Sequence, residues 1–279
     1  MVIKKIKLVN NSTPIVKLNK TINNTSIYMK RDDLIDFYFG GNKVRLYEYI
    51  IADVINHKAE KLITFGSIHS NHVRVTAAVA AYFGLECDII IIQDNSDFIN
   101  LVEGNRLLID LIGVNKYVCS IENAREYIDN HLNTQKSKGV NYYFVPGGGH
   151  TPIATKAYSD ILGEILDQSR ALNVNFDAIF LPTGTGTTQA GLVYGKKRFK
   201  YDGDIFGVTV ARESQRCKKE VFNMINGMQE IDCQNVHLEE DDINILENNG
   251  IRYWEINDKV IDVMKSVAKS DGMLLDPIY

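Results

Sequence analysis

Apolar residues recur along this chain in two alternating rhythms. Short continuous runs read as strands, and longer stretches with apolar residues three and four apart read as helices. Ser26–Lys30 predicts a strand, and the acidic turn Arg31–Asp33 follows it. After a glycine pair, VRLYEYIIADVI predicts a helix beginning beside Lys43. Lys61–Phe65 predicts the next strand, Asn71–Phe83 an alanine- and valine-rich helix, and Cys87–Ile92 a run of the kind buried on both faces of a parallel sheet. A helix near Phe98–Ile112, the strand KYVCS, a polar helix near Glu122–Lys136 and a strand at Tyr142–Pro146 continue the alternation. A helix at Ile153–Gln168, a strand at Asp177–Pro182, a helix opening near Thr188 and a strand at Asp204–Val210 complete it. Repeated strand–helix units with strands this short predict an α/β fold with mainly parallel sheets. No repeat, low-complexity tract or linker interrupts the pattern, so one chain path is expected to serve two interleaved sheets.

Composition narrows the class. The 279 residues suit about two domains, and 45% hydrophobic with 24% charged content suits a soluble globular protein. A net charge of −4 gives no nucleic-acid footprint. No apolar run reaches the roughly 18 residues of a membrane span, and MVIKKIKLVNNSTP lacks the apolar core of a signal peptide. Cys87, Cys119, Cys217 and Cys233 are widely spaced, which predicts free thiols in a reducing compartment. A cytoplasmic protein without a nucleic-acid or membrane partner is therefore expected.

Three stretches carry candidate chemistry. In GGNKVR, Gly40–Arg45, two glycines give the backbone freedom and room for a flat ligand, and Asn42 predicts a helix cap. Lys43 then falls in the first helical turn, where the dipole disfavours a cation and favours the free, nucleophilic amine. PTGTGTTQAGL, Pro182–Leu192, follows a strand and opens a helix. Its backbone N–H groups and the hydroxyls of Thr183, Thr185, Thr187 and Thr188 suit a small phosphate, and it lacks the lysine of a nucleoside-triphosphate loop. GSIHSNH, Gly66–His72, stands at another strand-to-helix junction. There Ser70 and Asn71 predict a cap, Ser70 suits a carboxylate, and Asn71 suits a phenolic oxygen. His69 and His72 lack the further ligand that zinc would need, so no metal is expected.

Taken together, KRDDL, GGNKVR, GSIHSNH, PGGGH and TGTGTTQAGL resemble, in order and spacing, the D-cysteine desulfhydrase and 1-aminocyclopropane-1-carboxylate deaminase family. Its members are fold-type II enzymes, similar to the β subunit of tryptophan synthase, that use pyridoxal 5′-phosphate (PLP). The resemblance runs from about Thr13 to the end of the chain. It implies two interleaved three-layer domains with PLP in the cleft between them. Residues 1–45 plus 156–279 would form the larger, and 46–155 the smaller. It also implies that Lys43 forms the Schiff base with PLP and moves substrate protons. Asn71 would face the phenolic oxygen, Ser70 the substrate carboxylate, and Gly184, Thr185, Gly186, Thr187 and Thr188 would form the phosphate cup. Tyr253 and Tyr279 match two active-site tyrosines. His72 and His150 would face the substrate, and His72, where the deaminase branch carries glutamine, favours the desulfhydrase branch. The implied activity is β-elimination from a small D-amino acid such as D-cysteine, with the cyclopropane deaminase or a non-catalytic relative as alternatives.

Three positions and the length depart from the family pattern. Leu46 stands where the family has a phosphate-side lysine, a contact worth about 1.5–3 kcal/mol. Thr187 replaces the second glycine of the cup, which requires a negative φ there. His150 follows three glycines in place of serine. The family also continues for several tens of residues past the position of Tyr279. This predicts a homodimer with little turnover, or a further polypeptide that completes the site.

Overall fold

The computed structural model describes residues 4–93, 102–210, 212–232, 236–248 and 255–279. The fold is α/β with mainly parallel sheets. Strands β3 (Lys61–Gly66), β4 (Glu86–Ile92), β5 (Asn115–Cys119) and β6 (Tyr142–Val145) form one parallel sheet in the order β5-β4-β3-β6. Strands β7 (Ala178–Thr183), β8 (Asp204–Thr209) and β9 (Asn244–Leu246) form a second in sequence order, with Ile179 opposite Ile205. A separate antiparallel pair joins β1 (Ile15–Lys17) to β2 (Tyr28–Lys30), so the strand expected at Ser26–Lys30 is shorter and not parallel. Ile89, Ile90 and Ile91 of β4 are all buried, as its continuous apolar run requires.

The helices are α1 (Asn42–Asn56), α2 (Asn71–Tyr82), α3 (Gly104–Ile112), α4 (Ala124–Ser137), α5 (Pro152–Leu172), α6 (Thr187–Phe199), α7 (Ser214–Asp232) and α8 (Asp258–Asp271). The helix expected near Phe98–Ile112 is described from Gly104 onward, and its start lies outside the described residues. α5 begins with Pro152, whose ring presets the first helical turn, and runs beyond the expected end at Gln168. No helix of the described residues is long and apolar enough to cross a membrane.

α1 lies at the centre of the larger core. Val44, Leu46, Tyr47, Ile50, Ile51 and Val54 are fully buried in a cluster that also takes residues from both parallel sheets and from α5. Two of its charged side chains, Arg45 and Glu48, are enclosed as well. Glu48 accepts the N–H groups of Leu8 and Val9 at 2.9 and 3.1 Å. Arg45 grips Asp32 with two bonds of 3.0 and 2.8 Å, and Asp32 also accepts from Thr13 and Tyr158 at 2.7 and 2.6 Å. The acidic turn is therefore an anchor for the Lys43 helix. A buried guanidinium is tolerable only when its donors are paired this fully.

Candidate active site

The chain enters α1 through an unusual backbone. Tyr38, Phe39, Gly40 and Gly41 all have positive φ, at 42°, 66°, 61° and 95°. Gly40 is required there, because a Cβ would lie 2.8–2.9 Å from the carbonyls of Asp32, Asp33 and Ile35. Arg74 of α2 holds this loop by donating to the carbonyl oxygens of Tyr38 and, at 3.2 Å, Gly40. The helix cap is Gly41 and not Asn42. Asn42, the first helical residue, instead sends its amide across to Thr188 Oγ1 at 3.0 Å.

Lys43 follows in the first turn, as expected. The residue as a whole is partly exposed, but its amine is enclosed and donates to the Gly148 carbonyl at 2.8 Å. Burial without a carboxylate partner lowers its pKa to about 8. The carbonyl belongs to the PGGGH turn, and Gly148 (φ 78°) sits so close to Thr185 that a Cβ would lie 2.6 Å from the threonine methyl.

Thr185 belongs to the Gly–Thr loop between β7 and α6. Gly186 is the helix cap, and no side chain closes that helix start, which leaves the first N–H groups of α6 to form a cradle that fits a phosphate. Thr187 is helical and absent from the positive-φ residues, so the substitution is accommodated as the sequence required. Thr188 receives the Asn42 bond and keeps its own hydroxyl proton to donate. Thr183 does not serve the cup: it is buried and donates to Gln189 Oε1 at 3.0 Å. Tyr279 does reach the loop, with its hydroxyl 2.7 Å from where a Cβ on Gly184 would stand.

On the opposite side, Ser70 caps α2 by accepting the Val73 N–H at 3.4 Å. Asn71 donates to Asp276 Oδ2 at 2.8 Å, and its own oxygen accepts from Asn105 at 2.9 Å. His72 differs from its expected place beside the substrate. It is 1% exposed, stacks on Tyr47, and bonds through Nε2 to Thr64 Oγ1 at 2.8 Å. Thr64 donates its own proton to the Val145 carbonyl at 2.7 Å, which assigns the Nε2–H tautomer to His72. Burial first, and the nearby Lys43 charge second, hold His72 neutral, well below the usual histidine range. It forms part of the floor beneath the PGGGH turn.

His150 sits between the cup and α7, with Nδ1 3.4 Å from Thr187 Oγ1 and Nε2 3.2 Å from Glu220 Oε2. Burial and the nearby Arg212 lower its pKa, and Glu220 opposes them. Leu46 is not at the cup surface: it is fully buried and packs against Gly149. Tyr253 lies outside the described residues. Sequence reading missed Asp276, Glu220 and the tie from Asn42 to Thr188. Only Asp276 carried a local signal, as the aspartate of DPIY, a residue type that commonly starts a turn.

The chain matches the family described as pyridoxal-phosphate dependent enzyme over residues 6–279. It is 33% identical over 282 residues to the D-cysteine desulfhydrase of Yersinia enterocolitica, a match covering 99% of this chain and 84% of that protein. The D-cysteine desulfhydrase of Yersinia pestis is 32% identical over 292 residues, with the same coverages of 99% and 84%. A crystal structure of an ACC deaminase homologue superposes with a TM-score of 0.88 at 30% identity, covering 99% of this chain and 83% of that one. A hydrogen sulfide-producing enzyme of Fusobacterium nucleatum shares the fold, with a TM-score of 0.67 at 17% identity over 97% and 86% of the two chains.

Proposed function

The chain belongs to the pyridoxal-phosphate dependent enzyme family, and on that premise we propose that it catalyses β-elimination from a small D-amino acid such as D-cysteine, releasing sulfide, pyruvate and ammonia. The observation that carries this reading is the position of Lys43. Its amine bonds at 2.8 Å to a turn that itself packs on the Gly–Thr cup. A nucleophile for the cofactor aldehyde and a cradle for its phosphate therefore adjoin one another.

When bound, PLP supplies an electron sink for the charge left at Cα as a proton departs. Lys43 would hold the cofactor covalently and then take the Cα proton, so that the β-substituent can leave with its bonding electrons. The N–H groups of Gly186–Thr188 and the Thr188 hydroxyl would hold the phosphate, with Gly184 and Thr185 completing the loop. Asn71 would orient the ring through its phenolic oxygen, Ser70 would hold the substrate carboxylate at the start of α2, and Tyr279 would close the pocket from the tail. His150 would border the substrate from beside the cup, whereas His72 acts through the floor. Tyr253 keeps only the role that the family resemblance implies.

The division into 1–45 plus 156–279 and 46–155 is part of the proposal. It is supported by the segregation of β3–β6 from β7–β9 into separate sheets. So are a homodimeric state, to be checked by sedimentation, and a cytoplasmic location, supported by the buried free thiols of Cys87, Cys119 and Cys217.

The decisive experiment compares D-cysteine with aminocyclopropane carboxylate, scoring sulfide and pyruvate against 2-oxobutanoate. D-cysteine is expected to turn over faster. A faster deaminase reaction would transfer the chain to the other branch, and adduct formation without turnover on either would identify a non-catalytic relative.

Two further results are expected from the site geometry. An amine with a pKa of about 8 is roughly a tenth unprotonated at pH 7, against well under a thousandth for an ordinary lysine. Capture of pyridoxal phosphate by the cofactor-free protein should therefore accelerate with rising pH and level off just above pH 8. Continued acceleration past pH 10 would mean that an exposed lysine is reacting. Separately, Thr188→Val removes the acceptor for Asn42 and a donor to the cup. A loss of about 1–2 kcal/mol, or roughly five- to thirtyfold weaker cofactor retention in equilibrium dialysis, is expected. Unchanged retention would take Thr188 out of the cup.

A further inference from the structure

Asp276 was not among the residues picked out by motif, yet it collects more of the site than any neighbour on the tail. Its Oδ1 accepts the N–H groups of Ile278 and Tyr279 at 2.8 and 2.9 Å, closing a side-chain turn that sets the direction of Tyr279. Its Oδ2 accepts the amide of Asn71 at 2.8 Å. The other end of that amide is fixed, because Asn71 Oδ1 accepts from Asn105, which also donates to the His69 carbonyl at 2.7 Å. Burial lowers the pKa of Arg74, one turn further along α2, and the charges of Tyr38 and then Asp276 oppose that shift. Arg74 is the residue that holds the Tyr38–Gly40 loop leading into Lys43. Tyr279, at the end of the turn, has its hydroxyl against Gly184 of the cup.

We propose that Asp276 is a positioning residue that registers Tyr279 over the Gly–Thr cup and Asn71 at the start of α2 against each other. The chemistry selects a carboxylate. Three donors converge on two oxygens, and only an ionised acid presents acceptors in every direction with no donor of its own. Asparagine could still accept the two backbone N–H groups through Oδ1. It would then turn its NH₂ toward the NH₂ of Asn71, which cannot rotate without losing Asn105. Alanine loses both halves of the arrangement, and asparagine loses one. Because Asp276 is solvent-exposed, the latch is held by geometry more than by burial, and it is expected to influence alignment more than fold stability.

The kinetic part of this inference rests on the proposed function, and the structural part does not. The test uses the full chain with Asp276→Ala and Asp276→Asn, read in two ways. In the cofactor-free protein, amide hydrogen exchange at Ile278 and Tyr279 should quicken about tenfold or more in the alanine variant, as loss of charge-assisted bonds requires. The asparagine variant should stay within about threefold of the parent. In the cofactor-loaded enzyme, both variants should lower kcat about tenfold with KM changed less than about threefold, while the Lys43 adduct still forms. Exchange unchanged in the alanine variant would overturn the inference, and so would full kcat in the asparagine variant. If the parent protein forms no adduct at Lys43, the functional reading fails. The exchange measurement then decides by itself whether Asp276 holds the tail.

Discussion

Lys43→Ala is expected to abolish the borohydride-reducible adduct with pyridoxal phosphate and to lower turnover by more than about a thousandfold, because both the covalent tether and the proton carrier at Cα are lost. The fold should survive. The Lys43 side chain makes one hydrogen bond, to Gly148, and its charged form is already disfavoured by burial. Removing it relieves a desolvated amine, whereas the apolar face of α1 remains intact. The peptide carrying the reduced adduct should be identified by mass in the parent protein, and the denaturation midpoint compared in the variant. A reduced adduct that maps to Lys61 or another lysine would refute the assignment, as would an alanine variant that still forms it.

The second large effect reverses what the family pattern alone leads one to expect. By resemblance, Leu46→Lys restores a phosphate-side cation and should tighten cofactor binding. The structure places Leu46 at 0% exposure in the largest core cluster, packed against Gly149. A lysine there would lose the leucine's packing and strip an ammonium of water among Tyr47, Ile50 and Val44. Together these should cost about 4 kcal/mol or more, a large share of an ordinary domain's stability. The expected outcome is a sharply lower urea midpoint, or loss of soluble protein, with no gain in cofactor retention. A stable variant that holds the cofactor through longer dialysis would show that the ammonium reaches the cup and that the helix turns further than its packing implies.

His72 and Asn42 show how a local motif can be right about the site and wrong about the contact. Both lie in stretches that sequence reading picked out, and both help to build the site. His72, however, bonds to Thr64 on β3 and stacks on Tyr47 of α1, partners separated from it by 8 and 25 positions. Asn42 reaches Thr188, 146 residues away. A helix-capping preference describes only the nearest few residues. It cannot anticipate that a glycine with φ of 95° takes the cap and frees the asparagine for a distant threonine.

The sequence by itself determined the alternation of strands and helices, the parallel sheets and the place of Lys43 at a glycine-led helix start. Periodicity, glycine turns and helix-start chemistry are local properties, and they can be read over a few residues. The final third was less legible. Beyond Val210 the runs are polar and interrupted: α7 and β9 take shape by packing on α5, α6, β8 and each other, whereas α8 buries no residue and is tied to Asn19 and Lys20. Tertiary structure alone decided which local features meet. It turned Leu46 and His72 inward, made Asp32 the anchor of Arg45, and brought Asp276 onto Asn71 and Tyr279 onto Gly184. Each of these contacts joins positions distant in the chain. Their cost in ordering the backbone is met by burial of the whole core, so no single motif can encode them.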